Sequence, residues 1–270
     1  MSKLEVLVTT MHQPDLRKYL EMNLQTDAVI ANQADRDETV EVLIGNSRVR
    51  MVTTRTRGVS VNRNIAIQNI GSDSQWILFA DDDLRFYDGY AKLVQETFDR
   101  HPEADAVKYN LRSVSERKIT MRPLVSFHRA KRWETGSWGV WGLAIKVGRL
   151  KETRISFHER FGPGTENYCG EDTIFFQELF KKGINLYASP EYIADIDQSN
   201  SSWYEGYGER YFQTNGMVLH EAYPILCIPL AVRSAWRFSR RENCHMKFWD
   251  ILKCYRKGIL QNQKERKKNN

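Results

Sequence analysis

The stretch ILFADDDLRF, residues 77–86, carries four apolar residues straight into three adjacent aspartates. A short continuous apolar run bounded by polar residues has the form of a fully buried strand. Three neighbouring carboxylates repel one another, so crowding them has an energetic cost. Hard divalent cations take oxygen ligands, and a magnesium-type ion is commonly held by one or two carboxylates together with substrate phosphates. The plain alternative is an acidic turn leading into a helix, where negative charge suits the N-terminal dipole.

Strand and helix signals alternate on both sides of this stretch. Strands are expected at 5–9, 27–32, 41–44, 49–53, 75–80 and 106–114. Helices are expected at 14–22, at 60–69 with Ser60 as cap, and from Tyr90 to about Arg100, where Leu93, Val94, Thr97 and Phe98 recur at helical spacing. Such alternation predicts an α/β domain with a mainly parallel sheet. Ligands of these sheets lie beyond the carboxyl ends of the strands, which is where the three aspartates stand. The second half is less regular. A strand is expected over 138–145, a loop at 161–164 and a helix over 171–182 closed by Gly183; after Tyr204 the pattern is helical to the end.

Composition narrows the class. The chain has 270 residues, enough for a sizeable core. No stretch is long and apolar enough to span a bilayer, and the first residues lack a signal-peptide core, so a cytoplasmic protein is expected. The four cysteines form no CxxC pair and read as reduced thiols. Residues 233–270 hold twelve basic and three acidic side chains, a net +9 in a chain of net +6, so the body is mildly acidic. A basic tail suits a polyanionic partner, an anionic membrane surface or nucleic acid; the tail lacks a recognised nucleic-acid motif. Residues 223–270 are accordingly set apart as a basic amphipathic helical segment with a disordered end, following a catalytic domain at 1–222.

Two further clusters carry chemistry. Arg57-Gly58-Val59-Ser60-Val61-Asn62-Arg63-Asn64 places a glycine and two arginines at a helix start, a composition that binds phosphate; an ordinary capped helix with solvated arginines is the alternative. Gly170-Glu171-Asp172 puts two acids at another helix start. They suit the dipole there, and a carboxylate at a loop–helix junction also suits a general base.

In their order and spacing these segments resemble the family 2 glycosyltransferases, over roughly residues 3–220. The resemblance rests on LEVLVTTMHQ, TDAVIANQAD, RGVSVNRNIAI, ADDD after a strand and GEDTIF before a helix, with Ser202-Trp203-Tyr204-Glu205-Gly206-Tyr207 adding to it. It is nearest to bacterial members that build capsular or exopolysaccharide chains. It implies a GT-A fold, a Rossmann-like nucleotide-sugar-binding domain followed by C-terminal helices, and a metal-dependent, inverting transfer of one sugar from a nucleotide-diphosphate donor to a glycan or lipid-linked acceptor. Asp81 and Asp83 match the family's DXD motif and would hold Mn2+ or Mg2+, Asp83 most directly. Asp82 would lie near the ribose or diphosphate, and Thr9 would line the base. Gln33 stands where many members have an acid that contacts the base, which leaves Asp35 as its substitute. Arg63 matches a residue that reaches the donor phosphate. Asp172 matches the catalytic base, with Glu171 beside it. The QxxRW motif of processive synthases is absent, which implies single-sugar transfer. A nucleotidyltransferase acting on sugar phosphates uses a similar set of groups, and a non-catalytic membrane- or polyanion-binding protein is the remaining alternative.

Overall fold

The computed structural model describes residues 3–115, 122–199 and 206–269. Ser202 to Glu205 of the aromatic stretch named above lie outside the described residues.

The elements follow in the order β1 (Leu4–Met11), α1 (Arg17–Glu21), β2 (Asp27–Gln33), β3 (Glu38–Ile44), β4 (Ser47–Thr54), α2 (Val59–Gln68), β5 (Trp76–Asp81), β6 (Leu84–Phe86), α3 (Tyr90–Arg100), β7 (Ala106–Ser113), β8 (His128–Arg129), β9 (Leu143–Lys146), α4 (Val147–Thr153), α5 (Glu171–Lys181), β10 (Leu186–Ile196), α6 (Glu209–Ala222), α7 (Cys227–Phe238) and α8 (Phe248–Asn269). One mixed sheet runs in the order β3-β4-β2-β1-β5-β9-β7-β10-β6, with β8 beside β10. Its central strands β4, β2, β1 and β5 are parallel neighbours, while β3 and β9 run antiparallel beside them. The continuous apolar runs VLV, AVIA and WILFA are what a sheet covered on both faces requires. Val6, Val8, Ile30 and Leu78 pack with Tyr19, Val94 and Phe98 on one face. Leu7, Val29, Ile77 and Phe79 pack with Ala66, Phe175, Phe176 and Leu179 on the other.

One expected strand is shorter than its pattern implies, and one strand had no signal. Strand β9 spans only Leu143–Lys146; residues 138–142 instead form a turn. Gly142 has φ +72°, a left-handed backbone that breaks a strand, and Leu143 donates its N–H back to the Val140 carbonyl at 2.9 Å. Strand β10 was missed because Ser189-Pro190-Glu191 interrupts its pattern. The ladder with β7 shifts register between Ala188 and Tyr192, and that irregularity accommodates the proline.

The helical end of the chain is bound to the body. Helix α6 contributes Met217, Val218 and Ala222 to a cluster with Phe161 and Ile174, and Phe212 to a second with Cys227, Ala231, Ile251, Tyr255 and Ile259. Asn262 of α8 is fully buried and donates to Glu221 at 2.8 Å. Ile251 and Tyr255 are therefore core residues, whereas Ile225, Leu226, Ile228, Val232, Trp236 and Trp249 are exposed.

Candidate active site

The parallel register sets the site. Thr9 of β1 lies opposite Asp81 of β5, and Met11 opposite Gln33 of β2. The carboxyl ends of β1, β2 and β5 thus open together at the edge where such sheets bind ligands. The Thr9 hydroxyl donates to Asp81 Oδ1 at 2.9 Å, and the Thr10 hydroxyl donates to Asp82 Oδ2. Asn62 of α2 donates to the Thr10 and Ala31 carbonyls at 3.1 and 2.9 Å, tying β1 to β2 just behind the opening.

Arg63 is the centre of the arrangement. Its side chain is 4% exposed and lies over the Phe157 ring, which stacks on Phe175 at 4.0 Å. One guanidinium nitrogen donates to Asp172 Oδ1 at 2.8 Å and stands 3.5 Å from Glu171; the other donates to Asp81 Oδ1 at 3.1 Å. Burial works against the guanidinium charge, but Asp172, Asp81 and Glu171 outweigh it and hold the pKa above the ordinary arginine value. Burial also raises the proton affinity of Glu171 and of Asp172, and Arg63 opposes both shifts.

Helix α5 presents these acids because of Gly170. At φ +97° this residue sits against α6, and a Cβ there would lie 2.2 Å from Val218. Only glycine allows the approach that starts α5 here. After Arg63, the backbone of Val140 in the turn before β9 also favours the charged form of Asp172.

The donor set of the triplet fits a hard cation. Asp83 Oδ1 is buried without a hydrogen-bond partner, and burial together with Asp81 and Asp82 pushes its pKa up to about 7. An orphaned carboxylate oxygen beside two further carboxylates is the environment a divalent cation relieves. Asp81 has its oxygens engaged by Thr9 and Arg63, so Asp83 is the freer ligand. Among the described residues no cluster of three or more His, Cys, Asp or Glu is arranged to enclose a metal ion. Protein ligands alone do not complete a shell here, as is usual for ions that also take substrate phosphates.

The remaining candidates fall in different places. Gln33 is buried and donates to the Gly58 carbonyl at 3.1 Å. Asp35 is exposed and paired with Arg57 at 2.9 Å. The start of α2, a phosphate site by composition, is covered: Val59 donates its N–H to the Pro163 carbonyl at 2.9 Å and Ser60 its hydroxyl to the Phe161 carbonyl at 2.6 Å. Ser60 is consequently no cap, and Gly58 holds that position at φ +102°. Sequence inspection missed Thr10 and Asn62, and it missed Lys108 of β7, a lysine with no exposed surface. Lys108 had a signal, a charged residue inside the apolar run Ala106-Val107-Lys108-Tyr109.

A family model described as Glycosyl transferase family 2 matches residues 12–149, just over half of the chain and including Gln33, Asp35, Arg63 and the three aspartates. The chain belongs to the family 2 glycosyltransferases. Solved structures agree on the fold. The crystal structure of S. aureus TarS 1-349 aligns with a TM-score of 0.57 at 13% identity, over 95% of this chain and 70% of that one. The same TarS piece in complex with UDP-GlcNAc gives 0.58 at 13% identity, over 95% and 71%. A further TarS structure gives 0.58 at 14% identity, over 88% of this glycosyltransferase chain but only 44% of the other. A comparison with curated proteins finds no match.

Proposed function

We propose that this family 2 glycosyltransferase transfers a single sugar, with inversion, from a nucleoside-diphosphate sugar to a hydroxyl of a glycan or lipid-linked acceptor in polysaccharide biosynthesis. The observation that carries the proposal is the buried Arg63 bridge, which brings Asp172 at the start of α5 into one charge network with Asp81 at the end of β5. Asp172 accepts the proton of the acceptor hydroxyl while that oxygen attacks the anomeric carbon. The bond from that carbon to the diphosphate oxygen breaks, and the nucleoside diphosphate leaves from the opposite face. One in-line displacement inverts the configuration, so no covalent enzyme intermediate is needed.

Asp83, with Asp81, would hold Mn2+ or Mg2+, which when bound neutralises charge on the leaving diphosphate. Thr9 and Thr10 orient Asp81 and Asp82 for the donor. Arg63 keeps Asp81 and Asp172 in place; its guanidinium is engaged by carboxylates, which favours this role over the donor-phosphate contact implied by resemblance. Gln33 and Asp35 lie on the base side, at and just after the end of β2. Glu171 shares the Arg63 charge and tunes Asp172.

The acceptor side involves the C-terminal segment. Around α7 the exposed Ile225, Ile228, Val232 and Trp236 form an apolar stripe bordered by Arg233, Arg237 and Arg240. Such a face suits peripheral attachment to an anionic membrane from the cytoplasmic side. Among the described residues no helix is long and apolar enough to cross a membrane.

The test is a panel of nucleotide sugars, beginning with UDP-GlcNAc because a TarS structure holds it, followed for nucleoside-diphosphate release with Mn2+ or Mg2+. Acceptor-stimulated release is expected. Pyrophosphate formation from a sugar phosphate and a nucleoside triphosphate would instead identify a nucleotidyltransferase.

A further inference from the structure

The segment 157–163 covers the charged centre, and the far end of the chain takes hold of it. The Arg63 guanidinium stands 5.3 Å from the centre of the Phe157 ring. Gly162 lies so close to Glu171 that a Cβ there would sit 3.1 Å from the carboxyl carbon. Helix α2 ties the segment at both ends. Pro163 and Phe161 accept from Val59 and Ser60, and Asn64, the neighbour of Arg63, exchanges two hydrogen bonds with the Phe157 backbone at 2.7 and 3.0 Å. Between these anchors stands Arg160. Its carbonyl accepts from the buried Asn167 side chain at 2.9 Å and from the Thr165 hydroxyl at 3.2 Å. Its guanidinium reaches α8, where it pairs with Glu265 and donates to Asn262 Oδ1 at 3.4 Å. Helix α8 is a firm support. Its Gly258 lies against the Gln213 carbonyl, and Gly216 of α6 lies against the Tyr255 carbonyl, so the two helices meet backbone to backbone. Asn262 donates to Glu221 at 2.8 Å and stands 3.0 Å from His220 Nδ1. The side chains of Arg160 and Glu265 are 30% and 32% exposed, and an ion pair of that kind adds little to global stability.

We infer that Arg160 is a positioning residue for sugar transfer: through its pairing with Glu265, helix α8 holds the 157–163 segment against Arg63 and Glu171 and so keeps Asp172 in its working place. This rests on Asp172 being the base. The partners of the Arg160 guanidinium are on α8, so its effect passes through the segment it anchors. Arg63 places Asp172 at 2.8 Å, and Phe157 backs Arg63, so a loosened segment displaces the base. Asp81 is also held by Thr9 at 2.9 Å, which keeps the donor side in place. The loss therefore falls on the chemical step rather than on donor binding.

The test is a charge exchange in the full chain. Arg160→Glu, Glu265→Arg and the two together are compared with wild type in transfer kcat, donor KM and thermal unfolding, using UDP-GlcNAc or the donor returned by the panel. Each single reversal sets like charges face to face and should push the segment off its support. Misplacing a catalytic group by about 1 Å costs on the order of a hundredfold, so each should lower kcat by roughly ten- to a hundredfold with donor KM nearly constant. The double exchange restores an opposite pair and should recover most of that loss, a coupling that two independent sites would not show. Arg160→Gln removes the charge without repulsion and carries the test if a reversal fails to fold: its kcat should fall while its unfolding stays close to wild type. Unchanged kcat in Arg160→Gln, reversals whose losses simply multiply in the double exchange, or a loss confined to KM would overturn the positioning role while leaving Asp172 as base. Full transfer by Asp172→Asn would overturn the base assignment itself.

Discussion

Arg63 and Asp172, 109 positions apart in sequence, meet at 2.8 Å inside the protein, and the second guanidinium nitrogen of the same arginine reaches Asp81 at 3.1 Å. One side chain from α2 thereby couples the strand that bears the aspartate triplet to the helix that bears the proposed base. The pairing is buried, so its removal leaves carboxylates without a counter-charge.

Arg63→Met tests that coupling. Removing one partner from a buried ionic cluster costs on the order of 3–5 kcal/mol. The variant should unfold at clearly lower denaturant concentration and lose transfer activity. Proton uptake by Glu171 and Asp172 softens the loss, so the stability deficit should be smaller at pH 5 than at pH 8. Chemical denaturation at the two pH values checks both statements; a deficit that is absent, or larger at pH 5, contradicts them.

Asp83 tests the cation. Its partnerless buried oxygen is the strongest single indication of a ligand among the three aspartates. Excess chelator should abolish donor turnover, and Asp83→Ala should remove most of the metal-stimulated donor binding seen by titration calorimetry. Undiminished turnover in chelator contradicts the assignment.

Lys108 makes a separate statement about pH. Its folded-state pKa is lowered to about 7 by burial, so between there and the ordinary lysine range the unfolded chain binds the extra proton. Stability contributed by this site therefore rises with pH across that window, by up to about 1.4 kcal/mol per pH unit for one proton. The difference in stability between wild type and Lys108→Met should grow in favour of wild type from pH 7 to pH 9. A difference constant with pH shows that the amine titrates normally.

The α7 face is tested by charge. Replacing Arg233, Arg237 and Arg240 by Glu in the full chain should abolish flotation with anionic liposomes at low salt, and Trp236→Ser should weaken it. Each basic residue near such a surface contributes about 1 kcal/mol, screened by salt. Folding should be unchanged, since these side chains are exposed. A wild-type protein that ignores anionic liposomes at low salt assigns the stripe to another partner.

The α/β architecture and the place of the triplet were legible because they depend on local features. ILFA is apolar without interruption, and the strand it forms ends on the first aspartate, Asp81. Gly170 and Glu171-Asp172 likewise marked a helix start. What depended on contacts between distant segments was hidden. Residues 161–163 cover the start of α2, and nothing in RGVSVNRN announces that Pro163 and Phe161 will take its N–H and hydroxyl groups. Arg63 read as a phosphate ligand because an arginine near a glycine-led helix start usually faces solvent; here Phe157, from a loop 94 positions later, covers it. In the tail, Ile251 and Tyr255 carried the same amphipathic signal as Ile228 and Trp236. Packing in the cluster with Phe212 of α6 and Cys227, Ala231 and Ala235 of α7 separates core from surface there.

Asp172→Asn under single-turnover conditions tests the central claim most directly. The amide keeps the size of the carboxylate and can still accept from Arg63, but cannot take a proton. A general base contributes about a hundred- to ten-thousandfold in rate. Donor affinity should stay close to wild type while the rate of sugar transfer falls by that factor. Transfer at close to the wild-type rate, with donor bound normally, would contradict the account and move the base elsewhere.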